Sequence, residues 1–292
     1  MGVKACLKKE FIEAKRGKTF LSIFGMCLAF AIVAILYVVL MQFASTIIQT
    51  DNEELQILFQ NFYGSSMGYF GVFVTTYFFI ILIVMYSNTI SKEVNSKQWI
   101  LPINAGIKPK HLIFARMISA TITVAISFIA SAIIHFILTI LLCESGGMQI
   151  TNMLLAYVSM LIALEFITIT TISLNAITKK RAITIIVVLL VYVLVSAILS
   201  NFVIGKTGVT AITIADCTPF FFQNYPLTFM NGASYPTYIW LSASLSTLAI
   251  TFILAVWAIA SFKVKPEKAI AIKSNKKGFL GLFKKNEIEE EN

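Results

Sequence analysis

Residues 19–46 read TFLSIFGMCLAFAIVAILYVVLMQFAST, a run without a single charged side chain. An α-helix rises 1.5 Å per residue, so about 20 apolar residues cross the roughly 30 Å hydrocarbon layer of a bilayer. This run is long enough to do so. Five more of the same kind follow, at residues 68–90, 117–143, 153–178, 182–203 and 238–262. They are continuous rather than alternating, and each is about twice the ten residues of a barrel strand, which excludes a transmembrane β-barrel. The chain is 58% hydrophobic and 13% charged, with a mean hydropathy of +0.85 over 292 residues. Soluble domains carry roughly a quarter charged residues, so this chain lacks the polar surface that water demands. The expectation is an all-α membrane protein of six transmembrane helices, with no nucleic-acid-binding or soluble catalytic domain.

Charge orients the spans. Of the 23 lysines and arginines, all but Lys206 fall before the first span, between the second and third, in the Lys179-Lys180-Arg181 turn, or after the sixth. The opposite connections carry Asp51, Glu53, Glu54, Glu144 and Asp216. By the positive-inside rule both termini are expected in the cytoplasm, and the expected location is the plasma membrane. The net charge of +9 therefore sets topology and meets anionic lipid, and is not a nucleic-acid footprint. The first span is too long for a signal-peptide core and has no small-residue cleavage site after it. Cys6, Cys27, Cys143 and Cys217 show no metal-ligand spacing. Only Cys143 and Cys217 share the outer side.

The connections differ in character. Residues 1–18 predict an amphipathic helix on the inner membrane surface, with Val3, Leu7, Phe11 and Ala14 on one stripe. In the first outer loop, Asp51–Glu54 ahead of Leu55, Leu58, Phe59 and Phe62 predicts a short helix, and Gly64-Ser65-Ser66 a break. The inner loop at 91–116 predicts a helix to Leu101, stopped by Pro102, turned at Asn104–Gly106 and restarted at Pro109. Glu93 stands four residues before Lys97, and Trp99-Ile100-Leu101 is expected exposed, built to touch something in the cytoplasm. The last outer loop, 204–237, holds Phe220, Phe221, Phe222 and Tyr225 and is too apolar for solvent. It is expected to anchor at the interface or to dip into the membrane, where protein must satisfy its backbone. The tail after residue 262 is lysine-rich, then acidic, with a Phe/Leu patch suited to lipid.

Chemistry is sparse. The chain has no Gly-rich phosphate loop, no Gly-x-Ser-x-Gly and no His-Glu-x-x-His, so no catalytic residue, metal or cofactor is expected and ATP hydrolysis would need another chain. Glu165 is the one acid inside a span. Such a group costs several kcal/mol unless paired, protonated or wet, so it is either glue between helices or part of a pathway. His135, in the third span, lies nearer the outside and is read as an interface residue.

The inner loop resembles the ABC-2 type transporter permeases. Glu93 after the second span, apolar Trp99-Ile100-Leu101, Pro102, and Arg116 opening the third span match that family's pattern. Lys92 and Ser96-Lys97 stand where the family often has an arginine and a glycine. The resemblance implies a type V exporter-like permease with an N-terminal elbow helix. Its coupling segment of Lys92, Glu93, Lys97, Trp99, Leu101 and Pro102 would seat on a separate cytosolic ATPase, and a second permease, identical or paralogous, would complete the transporter. Spans nearly free of charge suit an amphipathic or lipid-like cargo, for example a peptide or a drug. Two other readings stand beside it: a proton-coupled secondary transporter using Glu165, or a non-transporting scaffold or sensor. The internal repeats and interrupted spans that a secondary transporter favours are not visible.

Overall fold

The computed structural model describes residues 3–47, 62–99, 102–103, 106–143, 150–207, 210–228 and 237–262. The expected helix over 51–62, Glu144, Leu101 and the tail after 262 lie outside these residues. Among the described residues, six helices are long and apolar enough to cross a membrane, as expected from the six runs. The chain is a helical multi-pass membrane protein.

A surface helix, Val3–Arg16, precedes the first span, Thr19–Ile47. The second span comprises Phe62–Val72, a π-helical turn at Phe73–Phe78, and Phe79–Ser87, followed after Asn88 by a short helix, Thr89–Asn95. The third and fourth spans are Pro109–Leu142 and Ile150–Thr178. The fifth is Arg181–Leu190, a π turn at Val191–Val195, and Ser196–Ser200; the sixth is Thr237–Ser261. Spans two and four are the most enclosed, while five and six turn most of their surface outward. Leu248 and Phe252 are exposed there, which suits lipid, since hydrocarbon is no worse a neighbour for them than another side chain.

The fold class is all-α as expected, with one added element: after the fifth span, β1 (Val203–Thr207) and β2 (Thr210–Thr213) pair as an antiparallel hairpin. β-Branched Val203, Ile204 and Thr207 stop being helical once the chain leaves the hydrocarbon, where strand pairing satisfies their backbone instead. Gly64-Ser65-Ser66 does not break the chain. All three are buried in the first turns of span two, and the Ser66 hydroxyl is bonded to Thr139 at 3.0 Å and to His135 Nε2 at 3.2 Å. On the surface helix Cys6 and Glu10 are the buried positions, and Phe11, from the apolar stripe, is 38% exposed and so available to lipid.

The outer segment does fold back on the bundle. A helix at Phe221–Thr228 packs against spans two and four, and Phe220, Phe221, Phe222 and Tyr225 are all buried. Its approach to span two is close: a Cβ added at Gly71 would lie 2.3 Å from Pro226 Cβ. Thr75, inside the π turn, donates to Gly71 O at 2.8 Å and to Gln223 O at 3.2 Å. One hydroxyl thus serves both the loosened span and the outer helix, consistent with a π turn kept where its freed backbone has a partner.

Three chain reversals at the lysine-rich end are turned by lysines in the left-handed region: Lys18 (φ 55°), Lys97 (φ 58°) and Lys179 (φ 55°). An L-residue other than glycine pays about 1 kcal/mol or more for that conformation.

Candidate functional site

The site is built where the third span begins. Pro109 at the first helical position starts that helix two turns before the hydrophobic run, so Arg116 is held on a rigid element and is buried. An unpaired buried guanidinium would cost several kcal/mol. Its partners come from two other segments. Arg116 Nε donates to Glu10 Oε2, and Nη2 donates to Glu10 Oε1 at 3.0 Å and to Glu93 Oε1 at 2.6 Å. Glu13 Oε2 stands 4.0 Å from the same nitrogen. One arginine fork thereby ties the surface helix, the helix after span two, and span three. Glu10 is itself buried, and the Glu93 side chain is 14% exposed. Bonds of this charge-assisted, forked kind are the strong ones.

The short helix carrying Glu93 is fixed at both ends. At its start Asn175, from span four, acts as a cap supplied in trans: its Oδ1 accepts from the backbone N–H of Ile90 and of Ser91, each at 3.1 Å. Its Nδ2 donates to Ser91 Oγ at 2.7 Å and Thr184 Oγ1 at 3.2 Å. First-turn N–H groups have no partner within a helix, and here span four provides one. At the helix end, Lys97 N–H bonds to Val94 O at 3.2 Å and Gln98 N–H to Glu93 O at 3.1 Å. This is a Schellman turn with lysine in the position glycine usually takes.

That turn redirects the chain and overturns one expectation. Trp99 is not an exposed anchor: it is 4% exposed and its ring lies 4.8 Å from that of Phe262, at the end of span six. Lys179 Nζ lies 5.3 Å from the centre of the same Phe262 ring, within cation–π range. Pro102 is half-buried, with Ile103 N–H bonded to Trp99 O at 3.2 Å, and Gly106 turns the chain at φ 83°. The outward surface of the segment is polar, formed by Lys92, Asn95, Ser96, Lys97 and Gln98. Of the expected coupling residues, the structure therefore divides Lys92 and Lys97, which face outward, from Glu93 and Trp99, which hold the segment to the bundle.

The two intramembrane residues are not brought together. His135 is fully buried, stacked on Phe70 at 4.3 Å, and bonded through Nδ1 to the Tyr157 hydroxyl at 2.7 Å and through Nε2 to Ser66. Its polar atoms are spoken for, as an interface histidine requires. Glu165 is different. Both carboxyl oxygens are buried without a hydrogen-bond partner, and the Thr121 hydroxyl addresses them from outside bonding geometry. The nearby Thr171 hydroxyl donates to Ile167 O at 2.7 Å.

A cavity of about 270 Å³ lies beside the arginine, bounded by Glu10, Tyr86, Glu93, Ser119 and Thr123 and rimmed by exposed Glu13, Lys92 and Gln98. Among the described residues no group of His, Cys, Asp and Glu could hold a metal ion, and the four cysteines are free thiols.

Compared with known proteins, the chain matches no protein-family model and no curated protein sequence. Sequence reasoning missed Glu10, which stands 106 positions from Arg116. It missed Asn175 as well. A signal existed for the first: an arginine opening a span needs an acid, and before the tail the only acids on the basic side are Glu10, Glu13 and Glu93.

Proposed function

We propose that the chain is the membrane-embedded permease subunit of an ATP-driven exporter of the ABC-2 type, in a bacterial plasma membrane. It works with a separate cytosolic ATPase and a second permease, identical or paralogous, and moves an amphipathic or lipid-like cargo. The lysine-rich end faces the cytoplasm. The observation that carries the reading is the fork from Arg116 to Glu10 and Glu93. A partner pressing on the Thr89–Asn95 helix would move span three and the surface helix with it, because charge-assisted bonds join all three. The Asn175 cap extends the linkage to span four, and the Trp99–Phe262 contact extends it to span six. A lever so braced suits transmission of nucleotide-driven motion, as packed elements shift between discrete arrangements rather than deform smoothly. The outward polar surface at Lys92 and Lys97 is the docking face, and an acidic groove on the ATPase is its complement.

The test is purification of the intact protein from its native membrane in mild detergent, with identification of what accompanies it. A P-loop ATPase should co-purify and be lost from the Lys92→Glu, Lys97→Glu double variant. Absence of any ATPase across several detergents would reject the exporter.

A further inference from the structure

We propose that Tyr86, Thr121 and Glu165 enclose a hydrated proton-exchange site in the middle of the bundle, reached by water only from the lysine-rich end. The unmet hydrogen bonds there are concentrated. The Tyr86 hydroxyl, both Glu165 oxygens and the Thr168 hydroxyl are all buried without a partner. Tyr86 and Glu165 lie close enough for the tyrosine to feel the carboxylate charge. Thr121 addresses the carboxyl from span three, and Thr168 follows Glu165 by three positions, on the same face of its helix. Some buried polar groups elsewhere are matched, as His135 uses both ring nitrogens and Asn175 uses oxygen and nitrogen alike, whereas Thr170 and Ser173, farther along span four, share the deficit. Unmet groups in apolar surroundings cost several kcal/mol each, and a water with two to four polar partners removes that cost. Tyr86, Thr121, Glu165 and Thr168 supply such a set.

Access follows from Tyr86, which is shared between two compartments. Tyr86 lines the cavity beside Arg116, and its buried, unpartnered hydroxyl is within electrostatic reach of both Glu165 and Arg116. Ser119 and Thr123 bring polar surface into the same cavity, about the depth of Thr121. Toward the opposite end the route closes. Phe128, seven positions or about 10 Å farther along span three, stacks with Phe70, and Phe70 with His135. The charged and titratable groups around the site are Tyr86 from span two and, on the far side of Tyr86, Arg116 from span three.

The proton transfer balances simply. Hydronium in the cavity gives up a proton and becomes water, and the Glu165 carboxylate becomes a carboxylic acid. Tyr86 relays by passing its own hydroxyl proton inward while accepting one from the cavity side; the reverse restores both groups. The site rests on the bundle itself and stands whether or not an ATPase accompanies the chain.

Infrared spectroscopy of the full chain in lipid nanodiscs tests this. A carboxylic-acid carbonyl band absent from Glu165→Gln should shift within minutes of transfer to D₂O. Tyr86→Phe should keep the band but slow its shift roughly tenfold, the effect of losing one relay hydrogen bond. Ala120→Leu, which narrows the cavity without touching a polar group, should slow it as well. A Glu165 band that persists unshifted for hours would overturn the site, and so would Tyr86→Phe exchanging at the parent rate. Loss of the band difference between parent and Glu165→Gln at every pH would overturn it too.

Discussion

Replacing Arg116 by alanine should release the surface helix, and the size of the effect can be worked from the contacts. The guanidinium makes two bonds to Glu10 and one to Glu93, and its side chain is 9% exposed. Removing one member of a buried pair costs about 3–5 kcal/mol, most of it from the stranded partner charge. Here two carboxylates are stranded, but both lie beside an open cavity, so the lower figure applies. Cys6, one turn before Glu10 and 1% exposed, is a built-in reporter. Burial first, and then the neighbouring Glu10 carboxylate, push its thiol above the ordinary range, so maleimide labels it slowly at neutral pH. With the other three cysteines changed to serine, labelling in detergent reports how often the helix lifts away. A loss of about 3 kcal/mol should speed it roughly a hundredfold, at 1.4 kcal/mol per factor of ten. Arg116→Ala leaves Glu10 in place to hold the thiol up, so the acceleration cannot come from a more acidic thiol. Arg116→Lys, which keeps charge but not the fork, should fall between. The triple change of Arg116, Glu10 and Glu93 to leucine should recover much of the protection, because an apolar cluster has no desolvation to repay. Labelling of Arg116→Ala within twofold of the parent would refute the reasoning.

Other expectations are as direct. Gly71→Ala should lower the detergent melting temperature, as its methyl group would drive into Pro226 at a cost of about 1–3 kcal/mol; an unchanged midpoint would place the outer helix farther from span two. Asn175→Ala removes three bonds to the helix start and one to Thr184 and should hasten tryptic cleavage after Lys92 and Lys97, whereas Asn175→Asp, which still accepts from both backbone N–H groups, should retain part of the protection. In a variant whose only tryptophan is Trp99, iodide should quench weakly, and Phe262→Ala should raise quenching toward that of a free indole; strong quenching before the Phe262 change would contradict the buried contact. Lys97→Gly should leave the turn intact and stabilise it locally by about 1 kcal/mol through relief of the left-handed strain, offset by whatever its side chain contributes, which a Lys97→Ala comparison measures.

What could be read from the sequence was set by range. Length and hydropathy are local, so six runs gave six helices. They misjudged ends where a helix outlasts its apolar stretch: Pro109 begins the third span because proline fits a first turn, although hydropathy starts at Met117. Gly64-Ser65-Ser66 looked like a break because its composition suits a turn, yet small residues also allow close packing and their hydroxyls can be met across a bundle. Phe220, Phe221, Phe222 and Tyr225 were legible as withdrawn from solvent because so many aromatic rings crowd one short loop, but an interfacial belt and burial in the bundle look alike in composition. The Arg116–Glu10 bonds and the Asn175 cap depend on partners 84 to 106 positions away, and no periodicity carries that information. Trp99 failed for a related reason: its burial depends on a single backbone reversal at Lys97 that sends it to Phe262.

The lysines at 18, 97 and 179 place two demands on one atom set. Each corner would relax if the residue were glycine, yet each also carries a cation at the lysine-rich end of the bundle, and by the positive-inside expectation that end meets anionic headgroups. A micelle without anionic lipid rewards only the first property, and a cell membrane rewards both. Directed evolution for heat resistance in detergent would therefore be drawn to these corners and collect glycines that loosen the protein's grip on its own bilayer. Screens run in vesicles containing anionic lipid would keep the lysines and find their gains elsewhere.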